Sequence, residues 1–106
     1  MRSAVLSHWR IRQMIHEADN VRLMMVIYDM FHKAEQYRLY AKNIKAKGKC
    51  IKVKGVTLAQ KANVTPAKVG SVLPFILWKM GLKLVERRES NRGAIYVICL
   101  DKGDRA

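Results

Sequence analysis

From Gly55 to Leu100 the chain reads GVTLAQKANVTPAKVGSVLPFILWKMGLKLVERRESNRGAIYVICL, and its punctuation leaves few folds open. Thr57 stands ahead of Leu58-Ala59-Gln60-Lys61-Ala62 as the cap of a short helix. Thr65-Pro66 opens a second helix, a capping hydroxyl followed by proline at the first helical position, where a missing N–H costs nothing. Met80-Gly81 closes it, because glycine takes the left-handed conformation that ends a helix. Leu84-Val85 and Ala94-Ile95-Tyr96-Val97-Ile98-Cys99-Leu100 are β-branched and aromatic runs that read as two strands. Between them lies a charged tip of Arg87, Arg88, Glu89, Ser90, Asn91, Arg92 and Gly93. The predicted order is short helix, tight turn, longer helix, hairpin.

Upstream, Ser3 is placed to cap a helix running to about Ala18. Its apolar residues do not share one face: Ala4, Ile11 and Ile15 lie on one side, Val5 and Trp9 on another. A helix with two apolar sides touches two things, its own core and a second copy of the chain. Asp19-Asn20 offers a cap for a second helix, or the two run together. From Val21 to about Ile44, Leu23, Met24, Ile27, Met30, Phe31, Ala34, Tyr37, Ala41 and Ile44 recur at three and four, the stripe of a long amphipathic helix. Two dozen residues give about 36 Å, longer than a small core requires. The expectation is one domain, with residues 1–44 as N-terminal helices and possible dimer interface, and 45–106 as the remainder of the same unit.

Charge is unevenly spread along the 106 residues. The net value is +13. Residues 1–37 hold five bases and four acids, 38–92 hold fourteen bases and two acids, and 93–106 balance. The excess therefore sits on the segment with the helix-turn-helix pattern, the footprint of a polyanion binder. Six lysines fall within residues 42–54, where Ile51 and Val53 share a face of a short edge strand. Lysines on an edge discourage strand addition. They are also flexible point charges suited to phosphate, and their position directly before the helix-turn-helix favours that role.

These features together resemble the winged helix-turn-helix superfamily: Leu58-Ala59…Val64 at the end of the first helix, Thr65 opening the second, and Leu77…Gly81-Leu82…Arg87-Arg88 leading into the wing. The resemblance covers about half the chain and points to no single family within the superfamily. It implies an α+β fold, mainly helical with a small β-hairpin wing and an N-terminal helical extension. It implies nucleic-acid binding through the second helix and the wing, although some members bind proteins instead. The composition, with three glutamines against twenty-one Lys and Arg, is compatible with a thermophile, and the resemblance extends to small archaeal-type DNA-binding proteins.

Within the second helix, Val69, Val72, Leu73, Ile76, Leu77 and Met80 form the buried stripe. Ala67, Ser71, Pro74 and Trp78 lie opposite, with Lys68, Phe75 and Lys79 at one flank. The N-terminal half suits DNA: small residues allow close approach, and Lys68 reaches a phosphate or a guanine. No Arg, Asn or Gln lies on this helix, so backbone binding is expected over base reading. Pro74 is expected to kink it. Phe75 and Trp78 are expected to be covered by the core, or else to form a protein interface. On the hairpin, Arg87, Arg88 and Arg92 suit a narrow minor groove, while Glu86 and Glu89 are placed to pair with them across the hairpin.

The expected nucleic-acid set is Thr65, Ala67, Lys68 and Ser71, with Lys47, Lys49, Lys52 and Lys54 before them and Arg87, Arg88 and Arg92 after. The expected interface is Trp9, Ile11, Ile15, Phe75 and Trp78. The partners expected are double-stranded DNA, with RNA as the alternative, and a second copy of the chain. Neither membrane nor small-molecule substrate is expected. Cys50 and Cys99 show no zinc spacing and are expected as buried thiols in a cytoplasmic, nucleoid-associated protein, with pairing the less favoured state. His8 and His16 are eight apart, too far along a helix to share one ion. No phosphate loop, activated nucleophile or cofactor fingerprint is present, so no cofactor, metal or enzymatic activity is expected.

Overall fold

In the computed structural model the described residues are 8–42 and 48–100, and of residues 8–11 and Ser90 only the backbone. Ser3, Ala4, Val5, Ile44 and Lys47, named above, lie outside them. Six elements follow in order: α1 (His8–Tyr37), β1 (Cys50–Lys54), α2 (Gly55–Ala62), α3 (Pro66–Met80), β2 (Leu82–Ser90) and β3 (Gly93–Leu100). They form an α+β domain with three helices and one antiparallel sheet of order β1-β3-β2.

The two N-terminal helices are one. α1 runs through Asp19 and Asn20 for 30 residues, about 45 Å, with Asp19 turned onto Arg22 one turn later. It stops at Tyr37, short of the expected Ile44. Arg38 takes a left-handed φ of 56°, and the Leu39 N–H bonds back to the Ala34 carbonyl at 2.9 Å, which satisfies an orphan acceptor of the last turn. Leu23, Ile27, Phe31 and Ala34 bury one side of the helix, whereas residues 12–18 are all exposed, so α1 overhangs the core at its N-terminal end.

α2 begins two residues before the expected cap. Lys54, not Thr57, occupies the N-cap position, without a side-chain bond, and Gly55 is the first helical residue. The reason lies across the molecule: a Cβ on the buried Gly55 would stand 3.1 Å from Cε2 of Tyr96. Glycine lets the start of α2 lie close against that ring. At the other end of α2, the Arg22 Nε–H donates to the Ala62 carbonyl at 2.9 Å and ties α1 to it.

α3 has the expected ends. Thr65 Oγ1 accepts from the Lys68 N–H at 3.1 Å, Pro66 follows, and Gly81 at φ 73° sends its N–H back to the Leu77 and Trp78 carbonyls. The helix runs on through Pro74.

The β2–β3 hairpin is longer than Leu84-Val85 implied, and pairs from Leu82↔Leu100 to Ser90↔Gly93 with a bulge at Val85. Asn91 and Arg92 make the turn, with Gly93 at φ 106°. Ile51, Val53, Tyr96 and Ile98 point from the sheet to the helices and join Leu58, Val69, Leu73, Ile76 and Leu77 in one core. Cys50, Val97 and Cys99 form a separate buried cluster on the other face.

There the expectation of free thiols fails. β1 and β3 pair in a register that sets Cys50 directly opposite Cys99, with Cα atoms 4.0 Å apart, and the two are joined as a disulfide. The neighbouring Leu100 N–H bonds to the Lys49 carbonyl, so the cysteines occupy a non-hydrogen-bonded pair, where facing side chains lie closest. Both are buried, as expected. Pairing follows from register, which cysteine spacing does not reveal.

Candidate nucleic-acid interface

Between Glu35 and Glu86 the chain has no acidic residue and eleven basic ones. That stretch includes all of β1, α2 and α3, so their surfaces carry positive charge with little local compensation. Where those charges point decides what they can hold.

On α3 the outward stripe is Ala67, Ser71, Pro74, Phe75 and Trp78, all exposed. Its N-terminal half is small. Thr65 spends an acceptor on the cap, and the Ser71 hydroxyl donates to the Lys68 carbonyl at 3.1 Å. Lys68 turns away from the stripe: its Nζ meets Nδ1 of His16 on the overhang of α1. Beside that contact an open groove of about 390 Å³ runs along Arg12, Gln13, His16, Glu17 and Asn20. His16 was missed from the sequence, where nothing links residues 52 positions apart.

The C-terminal half of the stripe corrects an expectation. Phe75 is 51 % and Trp78 75 % exposed, so the core does not cover them. The stripe already bonded into the core is Val69, Leu73, Ile76 and Leu77, and α1 packs on that side. Lys79 holds its ammonium 5.3 Å from the Phe75 ring centre, a cation–π contact at the edge of an exposed aromatic patch.

The hairpin arginines divide between the two faces of the sheet. Arg87, paired with Tyr96 in register, lies on the helix side, with its guanidinium 5.7 Å from the Tyr96 ring centre. Gly70 of α3 makes room for it, since a Cβ there would stand 3.3 Å from Nη2. Arg88 belongs to the opposite face. Glu86 and Glu89 have partners along their own strand: Arg87 with Glu89 at 2.9 Å and Arg88 with Glu86 at 2.8 Å. Such exposed pairs contribute little and open easily for a phosphate. Arg92 is exposed at the turn.

The lysines of β1 do not join α3. Ile51 and Val53 face the helices, so Lys52 and Lys54 alternate onto the far side of the sheet, exposed. Lys83, paired with Cys99 in register, shares that side and was not singled out from the sequence, although strand alternation would have found it. Lys49 is held at the other end of β1, where its Nζ bonds both Glu35 oxygens at 2.8 and 2.9 Å and lies 5.5 Å from the Tyr40 ring centre. Burial, and then the hydrogen bond and charge of Glu35, raise the Tyr40 phenol above its ordinary pKa of 10.0. The structure thus brings together Thr65, Ala67, Ser71 and Arg87, with Lys68 at their flank turned onto His16. It sets Lys52, Lys54 and Arg88 across the sheet from them and ties Lys49 to α1.

Of the expected interface, Trp9 and Ile11 lie in the first turns of α1 and Ile15 is 55 % exposed. Among the described residues no group of three or more His, Cys, Asp or Glu is placed to hold a metal ion, and no helix is long and apolar enough to cross a membrane. Comparison with protein-family models, with curated proteins and with solved structures finds no match to this chain.

Proposed function

We propose that this chain is a winged helix-turn-helix protein that binds double-stranded DNA through the sugar–phosphate backbone, as a transcription regulator or a chromosome-associated protein of the nucleoid. The observation that carries the reading is the stretch from Glu35 to Glu86 without an acid, wrapped around a helix whose exposed N-terminal half is Ala67 and Ser71. Small residues let a duplex approach the helix, and the positive end of its dipole favours phosphate. Arg87 beside α3 and Arg92 at the hairpin turn extend the positive surface. The element order, with a sheet of order β1-β3-β2, supports the winged-helix assignment.

With no Arg, Asn or Gln on α3, base reading is weak and salt dependence dominates. About three phosphate contacts per chain, from Lys68, Arg87 and Arg92, give a log–log slope of affinity against salt near −3, at about −0.9 per contact. Titration of a short duplex at several salt concentrations measures it, with single-stranded RNA as a parallel arm. A slope near zero, or no binding at low salt, contradicts the reading.

Phe75 and Trp78 support a second reading, a protein-interaction subunit of a larger replication or transcription machine. Two exposed aromatics on one helix face are the kind of surface that anchors a protein partner. Tighter binding of RNA than of duplex in the parallel arm would favour an RNA-binding protein.

A further inference from the structure

α1 buries one side and leaves the opposite side in an ordered row. Leu23, Ile27, Phe31 and Ala34 face the core. About half a turn away, Met14, Ala18, Val21, Met25, Tyr28 and His32 recur at alternating steps of four and three, and the sequence continues that spacing back to Ile11. All six are exposed, Met14 at 55 %, Val21 at 52 %, Met25 at 65 % and Tyr28 at 69 %. A surface helix needs one apolar stripe to hold it on its domain; a second, with heptad spacing, is the seam of a coiled coil.

We propose that this row takes the same row of a second copy of the chain, so that the protein is a homodimer joined by a two-stranded coiled coil of α1. Length fits: Ile11 to His32 spans three heptads, about 33 Å at 1.5 Å per residue. Ile15, 55 % exposed, flanks the seam and widens it. At the C-terminal end, Tyr28 and His32 border an open groove of about 270 Å³ that Phe31, Met80, Leu82 and Leu100 also line, so apolar surface continues past the last heptad.

Charge selects the occupant. Two copies of a chain with net charge +13 repel each other over most of their surface. α1 is the exception, with four bases (Arg10, Arg12, Arg22, Lys33) and four acids (Glu17, Asp19, Asp29, Glu35). A second copy docks there against no net charge, whereas a nucleic acid finds no positive field on this helix. The seam is therefore separate from the surface assigned to DNA, and the dimer does not depend on that assignment.

Sedimentation equilibrium of the full chain at tens of micromolar, without nucleic acid, tests it. The expected mass is twice 12.2 kDa. Val21→Glu with Met25→Glu places charge in two consecutive layers and is expected to weaken dimerisation at least about a hundredfold. Because both side chains are exposed in the protomer, far-UV circular dichroism should not change. Ala18→Leu fills a small layer and is expected to tighten the dimer about tenfold. A wild-type mass of 12.2 kDa overturns the proposal. So does a dimer that survives the double substitution, or an Ala18→Leu chain that associates no more tightly than wild type.

Discussion

Tyr96, 2 % exposed, is packed where two glycines leave room for it, and the two respond differently to an added methyl. At Gly55 a Cβ meets the ring itself at 3.1 Å, with the Ala94 carbonyl behind it at 3.6 Å. The carbonyl is at ordinary contact distance, but the buried ring must give way, so Gly55→Ala is expected to destabilise by about 1–3 kcal/mol, the usual cost of overpacking. At Gly70 the nearest atom is Nη2 of Arg87, the end of a flexible side chain, at 3.3 Å. Gly70 is also interior to α3, where alanine is the better helix former by up to about 1 kcal/mol. Gly70→Ala is therefore expected to raise stability by about 0.5–1 kcal/mol while shifting Arg87 off the Tyr96 ring. Urea denaturation of the two variants checks the opposite signs.

At the scale of elements, local signals were legible and distant ones were not. Thr65-Pro66 and Gly81 fixed the ends of α3 because a cap is a contact between neighbours in sequence. The start of α2 was misplaced because its N-cap, Lys54, makes no side-chain bond and carries no local capping signal, while Gly55 packs on Tyr96, 41 positions away. Phe75 and Trp78 were expected under cover on the grounds of size, yet the core stripe of α3 was already complete without them. Lys52 and Lys54 were grouped with α3 by proximity in sequence, and strand alternation sends them to the far face. The disulfide depended on the β1–β3 register, which neither cysteine encodes alone. It closes a loop across 49 positions, for which chain entropy gives about 4 kcal/mol of stabilisation at 25 °C. Denaturation with and without reductant, or in Cys50→Ala with Cys99→Ala, should show a loss of about 2–4 kcal/mol. The hairpin predicts the reverse pattern. Arg92→Ala should leave the melting temperature nearly unchanged, lower affinity for duplex DNA and flatten the salt slope by up to about one, whereas Arg88→Ala, on the far face, should change none of these.

For the whole molecule, the sheet separates two basic surfaces. The helix side gathers α3 and Arg87, and the far side carries Lys52, Lys54 and Lys83 around the buried disulfide. Net charge alone would let DNA lie on either. What favours the helix side is shape: Ala67 and Ser71 are small and exposed and allow close approach. α1 carries balanced charge, and its outward row is the surface proposed for association between copies. The most direct measurement is the change in backbone amide chemical shifts across the chain as a short DNA duplex is titrated in at low salt. The account predicts changes concentrated at residues 65–71 and 87–93, with β1 and the seam residues of α1 little affected. Changes confined to Lys52, Lys54 and Lys83 on the far face, or none at saturating duplex, would contradict it.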